Sequence, residues 1–313
     1  MRVLITGGAG FIGSHIADAV LERGHEVLIV DDLSTGRREN IPAAARFEQL
    51  DIRDSAHVDR LFADFKPEAV CHQAAQTSVV VSTREPLRDA EVNILGSLNL
   101  IRASVAEGVS RFVFASTGGA IYGEIAGDRR AREDELPLPL SPYACSKLAT
   151  ESYLRAFSHE RGLPYTVLRY ANVYGPRQDP HGEAGVVAIF GQRLRDRQPI
   201  QINAKVELGD DGCVRDYVYV GDVVKANVAA LEGRIREPMI NVCTGEATTT
   251  RMLIENLEPH LGKAVECKAG PRRAGDVQRS VLDPTLCRSV IGTPQSLSDG
   301  LAATAKWFLA QKP

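Results

Sequence analysis

Through the first half of the chain, short apolar runs alternate with longer stretches whose apolar positions recur at helical spacing. Arg2-Val3-Leu4-Ile5-Thr6 opens the series, and its apolar centre suits a strand covered on both faces. Comparable runs follow at 26–30, Ala69–His72, 111–115, 165–169 and Met239–Val242. Between them the spacing predicts a helix that Gly24 terminates, a helix over Ser55–Phe65, a long helix opened by Pro86 and reaching Glu107, and a helix through Tyr143. Such alternation predicts an α/β fold: a doubly wound parallel sheet of the Rossmann type, whose ligands bind beyond the carboxyl ends of the strands. Gln73-Ala74-Ala75 and Ser116-Thr117 fall at such ends.

From about Asp179 the alternation loosens. Segments 182–196, 213–220 and 267–281 mix glycine, charge and short apolar runs, while 222–231, 249–261 and 298–309 keep helical spacing. Residues 1–178 therefore read as one Rossmann-type domain to which roughly 221–245 return, and 179–313 as mainly a smaller C-terminal α/β lobe.

Composition narrows the function classes. The chain has 313 residues, 44% hydrophobic and 25% charged, enough for one large or two joined domains. A net charge of -3 offers no basic field, which argues against a nucleic-acid partner. The first strand starts at Met1 and no apolar run has membrane-spanning length, so the expectation is a soluble, cytoplasmic protein without a leader. Cys71, Cys145, Cys213, Cys243, Cys267 and Cys287 are scattered without metal-site spacing, and reduced thiols are expected. Cys145 is expected to pack as a small hydrophobe, His15, His57 and His159 to be helix residues without chemistry, and no metal site is anticipated.

The first strand runs into Gly7-Gly8-Ala9-Gly10-Phe11-Ile12-Gly13, which fits both GxxGxxG and GxGxxG. Glycines there permit a tight turn, close approach of a pyrophosphate and packing of helix on strand, while the helix N-terminus presents amides to phosphate. Asp31-Asp32 ends the second strand, and a carboxylate at that place binds ribose hydroxyls and repels a 2′-phosphate, favouring NAD over NADP. Arg37 and Arg38 read either as receivers of a 2′-phosphate or as solvated loop charges. Asp51-Ile52 would flank the adenine. Further on, Ser141-Pro142-Tyr143-Ala144-Cys145-Ser146-Lys147 sets a phenol and an ammonium four residues apart, one above the other on a helix. A neighbouring cation is what a phenol needs to serve as a base near neutral pH.

Taken together, GGAGFIGSH, FASTGGAIYG, SPYACSK, LRYANVYGPRQ, VRDYVYVGDV and PRRAGDV make the chain resemble the extended short-chain dehydrogenase/reductase family, and within it the UDP-glucose 4-epimerase group. The resemblance implies Tyr143 as general base, Lys147 as its cationic partner and holder of the nicotinamide ribose, and Thr117 as the bridging hydroxyl with Ser116 in reserve. It implies cofactor contacts at Gly7, Gly10, Phe11, Ile12, Gly13, Asp31, Asp32, Asp51, Ile52, Gln73, Ala74, Ala75, Asn93 and Tyr170. On the substrate side it implies Thr77, with Ser78 beside it, Asn172, Val186, Gln201, Asn203, Arg215, Arg273 and Asp276. A gate against the hexose falls at Ser280, or one residue away at Arg279 or Val281. The implied activity is NAD-dependent 4-epimerisation of a UDP-hexose through a 4-keto sugar, reaching the N-acetylhexosamine pair because Ser280 is small. A homodimer through the helices around 86–107 and 141–161 is also implied, with Leu148, Tyr153 and Leu154 undivided between core and interface. A nucleotide-sugar dehydratase or decarboxylase, a UDP-glucuronate 4-epimerase and a non-catalytic NAD sensor are the alternatives. Gly118-Gly119 stands where lyase relatives carry an acid.

Overall fold

A computed structural model describes residues 1–180, 185–262, 265–272 and 277–311. The chain divides into two compact units, one of Met1–Thr117, Pro139–Arg169 and Val224–Ile240, the other of Gly118–Leu138, Tyr170–Val223 and Asn241–Pro313. Residues 118–138 and 170–178, expected in the first domain, thus belong to the second unit, and the returning segment is 224–240 rather than 221–245.

The first unit is built on a seven-stranded parallel sheet in the order Met239–Val242, Tyr165–Tyr170, Arg111–Thr117, Ala69–His72, Arg2–Thr6, Glu26–Asp31, Arg46–Gln49. Arg2–Thr6 pairs with Glu26–Asp31 on one side and Ala69–His72 on the other, so chain order reverses there and opens a crevice at the strands' carboxyl ends. Leu4, Leu28, Val70, Phe112 and Phe114 form the sheet's share of the core, against Val58, Phe62 and Phe65 of helix Ser55–Phe65. That helix forms where expected because Asp54 caps it, accepting from His57 N at 3.0 Å, and Lys66 leaves it through a left-handed φ of 51°. Its buried side chains are spaced four and three apart, one inward stripe.

The helix expected over 86–107 is broken into Pro86–Ala90, a π-helical turn Glu91–Gly96 and Ser97–Ala106. The cause lies at Asn93, whose carbonyl accepts Ser97 Oγ at 2.6 Å and Thr150 Oγ1 at 2.9 Å. Hydroxyls inserted at that carbonyl widen the ladder, and such bulges gather at functional positions.

Helix Pro142–Arg161 starts on Ser141, which accepts from Ala144 N at 3.2 Å, has Pro142 in its first turn and stops at Gly162 in the left-handed region. Its inward stripe is Ala144, Lys147, Glu151 and Leu154, two charges where a core helix ordinarily carries apolar side chains. Cys145 falls off this stripe and is exposed, contrary to its expected packing. All six thiols are free.

The second unit packs Tyr174, Val187, Phe190, Leu194, Leu253, Leu257, Leu301 and Phe308 into its own core. Segment 182–196, expected to be irregular, contains helix Val186–Arg195 in its described part, because Val187, Ala188, Phe190, Gly191 and Leu194 make a helical stripe that the flanking glycines obscure. Strand Val214–Arg215 runs between Thr248–Thr249 and Arg279–Ser280, and Cys267–Gly270 pairs with Ile200–Asn203. Among the described residues no helix is long and apolar enough to cross a membrane.

Candidate active site

The glycine loop follows the first strand into the crevice. Gly7 has φ +66°, and its amide donates to Val30 O at 2.8 Å. A Cβ on Gly7 would lie 2.6 Å from Ala74 N, and one on Gly13 would lie 2.2 Å from Gly7 O. Both positions therefore require glycine, one for the turn and one for seating helix Phe11–Glu22 on the loop. Gly10 caps that helix without a side chain, leaving the first-turn amides of Phe11, Ile12 and Gly13 to a ligand. A hollow that side chains would fill, at a helix N-terminus, fits a dinucleotide's pyrophosphate.

Asp31 lies beside this loop, its Oδ2 accepting Ala9 N at 3.0 Å and its Oδ1 accepting Leu33 N at 2.9 Å. Burial raises its pKa, and the two amide bonds oppose that shift. Gly36 passes so close that a Cβ would sit 2.6 Å from the carboxylate. Asp32 instead accepts the amide and hydroxyl of Ser34, which makes it a turn residue. Arg37 reaches Glu39, and Arg38 donates to Gln49 and stacks over the Phe47 ring at 5.2 Å, so both basic side chains have protein partners. Asp51 is clamped by Arg53 at 2.6 Å, which holds its pKa low, and Ile52 is buried under Gly96.

On the other side of the crevice, Gln73 donates to Cys71 Sγ and Asn227 Oδ1, while Ala74 N donates to Thr6 Oγ1 at 3.2 Å and Ala75 is half-buried. Asn93 is buried with its amide engaged on all sides: Oδ1 accepts Gln76 N, and Nδ2 reaches Gln76 O, Asp89 and Ser146. It ties the loop after Ala69–His72 to the tyrosine helix.

Sequence reasoning overlooked His72. Ser97 Oγ spends its hydrogen on Asn93 O, so it accepts from His72 Nε2 at 2.8 Å, and His72 Nδ1 then accepts from Thr6 Oγ1 at 2.7 Å. Burial, with Lys147 nearby, drives this imidazole down to about 3 and keeps it neutral. The only signal in the sequence was a histidine at the end of a buried strand.

Tyr143 and Lys147 stand one turn apart on helix Pro142–Arg161, Tyr143 half-buried and Lys147 3% exposed. The Lys147 ammonium donates to Ala115 O at 2.9 Å and lies 4.8 Å from the centre of the Phe114 ring. Burial draws its pKa down to about 8, and Asp89 and Glu151 oppose that fall. The two candidate hydroxyls at the end of strand Arg111–Thr117 differ. Ser116 Oγ donates to Glu151 Oε1 at 2.5 Å, and the same carboxylate is held by buried Arg169 at 2.6 and 3.0 Å. Thr117 is the next residue, at the strand's end.

Thr77 is exposed in the loop after Ala69–His72, and Ser78 caps helix Val79–Arg84 by accepting Val81 N. Tyr170 is buried at the end of its strand.

In the second unit, Asn172 donates through its amide N–H at 2.9 Å and its Nδ2 at 3.2 Å to Asp216 O, and a Cβ on Gly119 would stand 3.5 Å from Asn172 Nδ2. Asp216, also overlooked, is fully buried and accepts from Thr244 N, Thr244 Oγ1, Gly245 N and Leu282 N. Its amide bonds Ser280 O, so one residue joins the segments carrying Asn172, Arg215 and Ser280. Arg215 and Ser280 are register partners on adjacent parallel strands, and Ser280 is 1% exposed. Val186 begins its helix; Gln201 and Asn203 bond each other at 2.7 Å on one face of Ile200–Asn203. Arg273 and Asp276 lie outside the described residues.

The model of the NAD dependent epimerase/dehydratase family matches residues 3–243. A UDP-glucose 4-epimerase of Thermus thermophilus, solved in complex with NAD, is 50% identical, with 99% of each chain covered and a TM-score of 0.95. One from Thermotoga maritima, solved with UDP-glucose, is 47% identical over 99% of each chain with a TM-score of 0.91. A UDP-N-acetylglucosamine 4-epimerase of Methanobrevibacter ruminantium, in complex with UDP-N-acetylmuramic acid, is 34% identical over 99% of each chain, also at 0.91.

Proposed function

Because the chain belongs to the NAD dependent epimerase/dehydratase family, in its UDP-glucose 4-epimerase group, and is an NAD-dependent enzyme, we propose that it inverts carbon 4 of UDP-glucose and UDP-galactose. The observation that carries this reading is Tyr143 one helical turn from a buried, carbonyl-anchored Lys147, in the same unit as the glycine loop and Asp31. The glycine loop and the first-turn amides would hold the pyrophosphate of NAD, and Asp31 would hold the adenosine ribose. NAD held there would supply reversible hydride acceptance for carbon 4 of the sugar.

The protein's part is proton handling and orientation. Tyr143 takes the proton of the 4-hydroxyl and gives it back after the sugar turns, so no net proton or electron is exchanged. Lys147, fixed by Ala115 O, stabilises the phenolate. Thr117 bridges the sugar oxygen and Tyr143, since Ser116 is committed to Glu151. Arg215 supplies a guanidinium for the substrate's phosphates, and Asn172 an amide beside them. Gly118-Gly119 places no carboxylate after Thr117, which disfavours the dehydratase reading.

The range extends, on this reading, to UDP-N-acetylglucosamine and UDP-N-acetylgalactosamine. The small Ser280 and the likeness to the Methanobrevibacter enzyme support that breadth. We also read the chain as a homodimer joined through helices of the first unit, because Val80, Leu87, Leu95 and Tyr153 are exposed there while Leu154 is core. Incubation with UDP-glucose, UDP-galactose, their N-acetylamino forms, UDP-glucuronate and a TDP-sugar, with identification of products, tests the reading. The 4-epimers of the first four are expected; a 4-keto-6-deoxy product, or no turnover by NAD-loaded protein, would overturn it.

A further inference from the structure

Asp89, in the short helix Pro86–Ala90, is 1% exposed. Its Oδ1 accepts from Gln76 Nε2 at 2.8 Å and from Asn93 Nδ2 at 3.0 Å, and it forms no ion pair among the described residues. Both donors are neutral amides, which leave a buried carboxylate's charge uncompensated. Asn93 Nδ2 also contacts Ser146 Oγ at 3.2 Å, and Ser146 directly precedes Lys147. Lys147 in turn donates to a neutral carbonyl. The buried Asp89 carboxylate is thus linked through Asn93 to Ser146, the residue before Lys147, and neutral groups make the direct contacts of both Asp89 and the Lys147 ammonium.

The other groups around Lys147 do not supply that missing charge. On its own helix, Tyr143 stands one turn before it and Glu151 one turn after, but Glu151 is paired with Arg169 of Tyr165–Tyr170 at 2.6 Å. Strand Ala69–His72 brings His72, which is neutral, and strand Arg111–Thr117 brings the Phe114 ring and the Ser116 hydroxyl. We infer that Asp89 is a positioning residue for the Tyr143–Lys147 pair, its buried carboxylate keeping Lys147 protonated and so keeping Tyr143 fit to act as a base. The inference rests on the reading of Lys147 as the tyrosine's cationic partner. It agrees with Asp89 exerting a larger upward pull on Lys147 than Glu151 does.

Asp89→Asn removes the charge and keeps an oxygen for Gln76 and Asn93. In the full-length, NAD-loaded protein, NMR of isotope-labelled lysine Cε, with Lys147 identified through Lys147→Met, reads the ammonium's titration directly. In Asp89→Asn the Lys147 midpoint is expected to fall by about one pH unit, and the alkaline limb of kcat to move down with it. Bound nucleotide and the unfolding midpoint stay near wild type, and Asp89→Glu returns the Lys147 midpoint. If Asp89→Asn does not fold, Asp89→Thr, which also keeps an acceptor, carries the same test. An unmoved Lys147 midpoint overturns the inference. A midpoint that falls while the kcat profile stays put overturns instead the role given to Lys147.

Discussion

Replacing Ser116 and Thr117 by alanine, one at a time, separates two adjacent hydroxyls to which the proposed function gives opposite tasks. Ser116 Oγ makes a buried, charge-assisted bond of 2.5 Å to Glu151, whose other contacts are the Arg169 guanidinium at 2.6 and 3.0 Å. Hydrogen bonds to charged groups contribute about 1.5–3 kcal/mol, and Glu151 keeps Arg169 as a partner in the variant, so the loss should stay within that range. For a chain of 313 residues that corresponds to a fall in Tm of roughly 2–5 °C. Turnover by Ser116→Ala should remain within about threefold of wild type, a change of well under 1 kcal/mol in the barrier. Thr117→Ala should show the reverse pattern: a small change in unfolding midpoint and a fall in kcat on the order of a hundredfold, the scale of losing one hydrogen bond aimed at the reacting oxygen. Thr117→Ser, which keeps the hydroxyl, should recover most of that rate. Urea unfolding and initial rates with UDP-galactose measure both sides. Loss of turnover in Ser116→Ala with an unchanged unfolding midpoint would refute the division of labour.

His72 gives a pH dependence with a defined sign. Its pKa is held at about 3 against an ordinary 6.5, so between those values the unfolded chain binds the extra proton. Its contribution is fully present above pH 6.5 and is lost as pH falls toward 3, by up to about 1.4 kcal/mol per unit; unfolding free energies of wild type and His72→Asn across that window should differ in slope by about one proton, and equal slopes would contradict the assignment. Ser280→Tyr should suppress conversion of the N-acetyl pair while plain hexoses still turn over, because a large side chain at so enclosed a place must fill neighbouring space; equal loss of both pairs would remove Ser280 as the gate. Sedimentation should report a dimer whose dissociation is promoted by Leu87→Glu and Leu95→Glu, and a monomer at every concentration would reject that interface.

The parallel sheet was legible because its strands are buried on both faces, so their apolar runs needed no tertiary information. The π-helical turn was not, because it depends on Thr150, 57 residues from Asn93 in the chain, donating to its carbonyl. Helix Val186–Arg195 was masked by glycines whose meaning is set by neighbours such as Phe308 against Gly191. Among the candidate residues, the glycine loop, Asp31, Tyr143 and Lys147 announced themselves through spacing. His72, Asp89 and Asp216 did not: a buried titratable residue is recognised by its partners, which come from distant segments. Asn93 illustrates the middle case: it was expected to line the cofactor, and its complete commitment to Gln76, Asp89 and Ser146 was not foreseen.

The central claim, that hydrogen leaves carbon 4 and returns to the same carbon without release from the protein, is tested most directly by isotope retention. UDP-galactose carrying deuterium at carbon 4 is converted by the purified protein in ordinary water, with no nicotinamide cofactor added, and the UDP-glucose formed is analysed by mass spectrometry and NMR. The product is expected to keep its deuterium at carbon 4, with no reduced cofactor accumulating in solution. Loss of the label to solvent, or turnover that proceeds only with stoichiometric added cofactor, would contradict the claim.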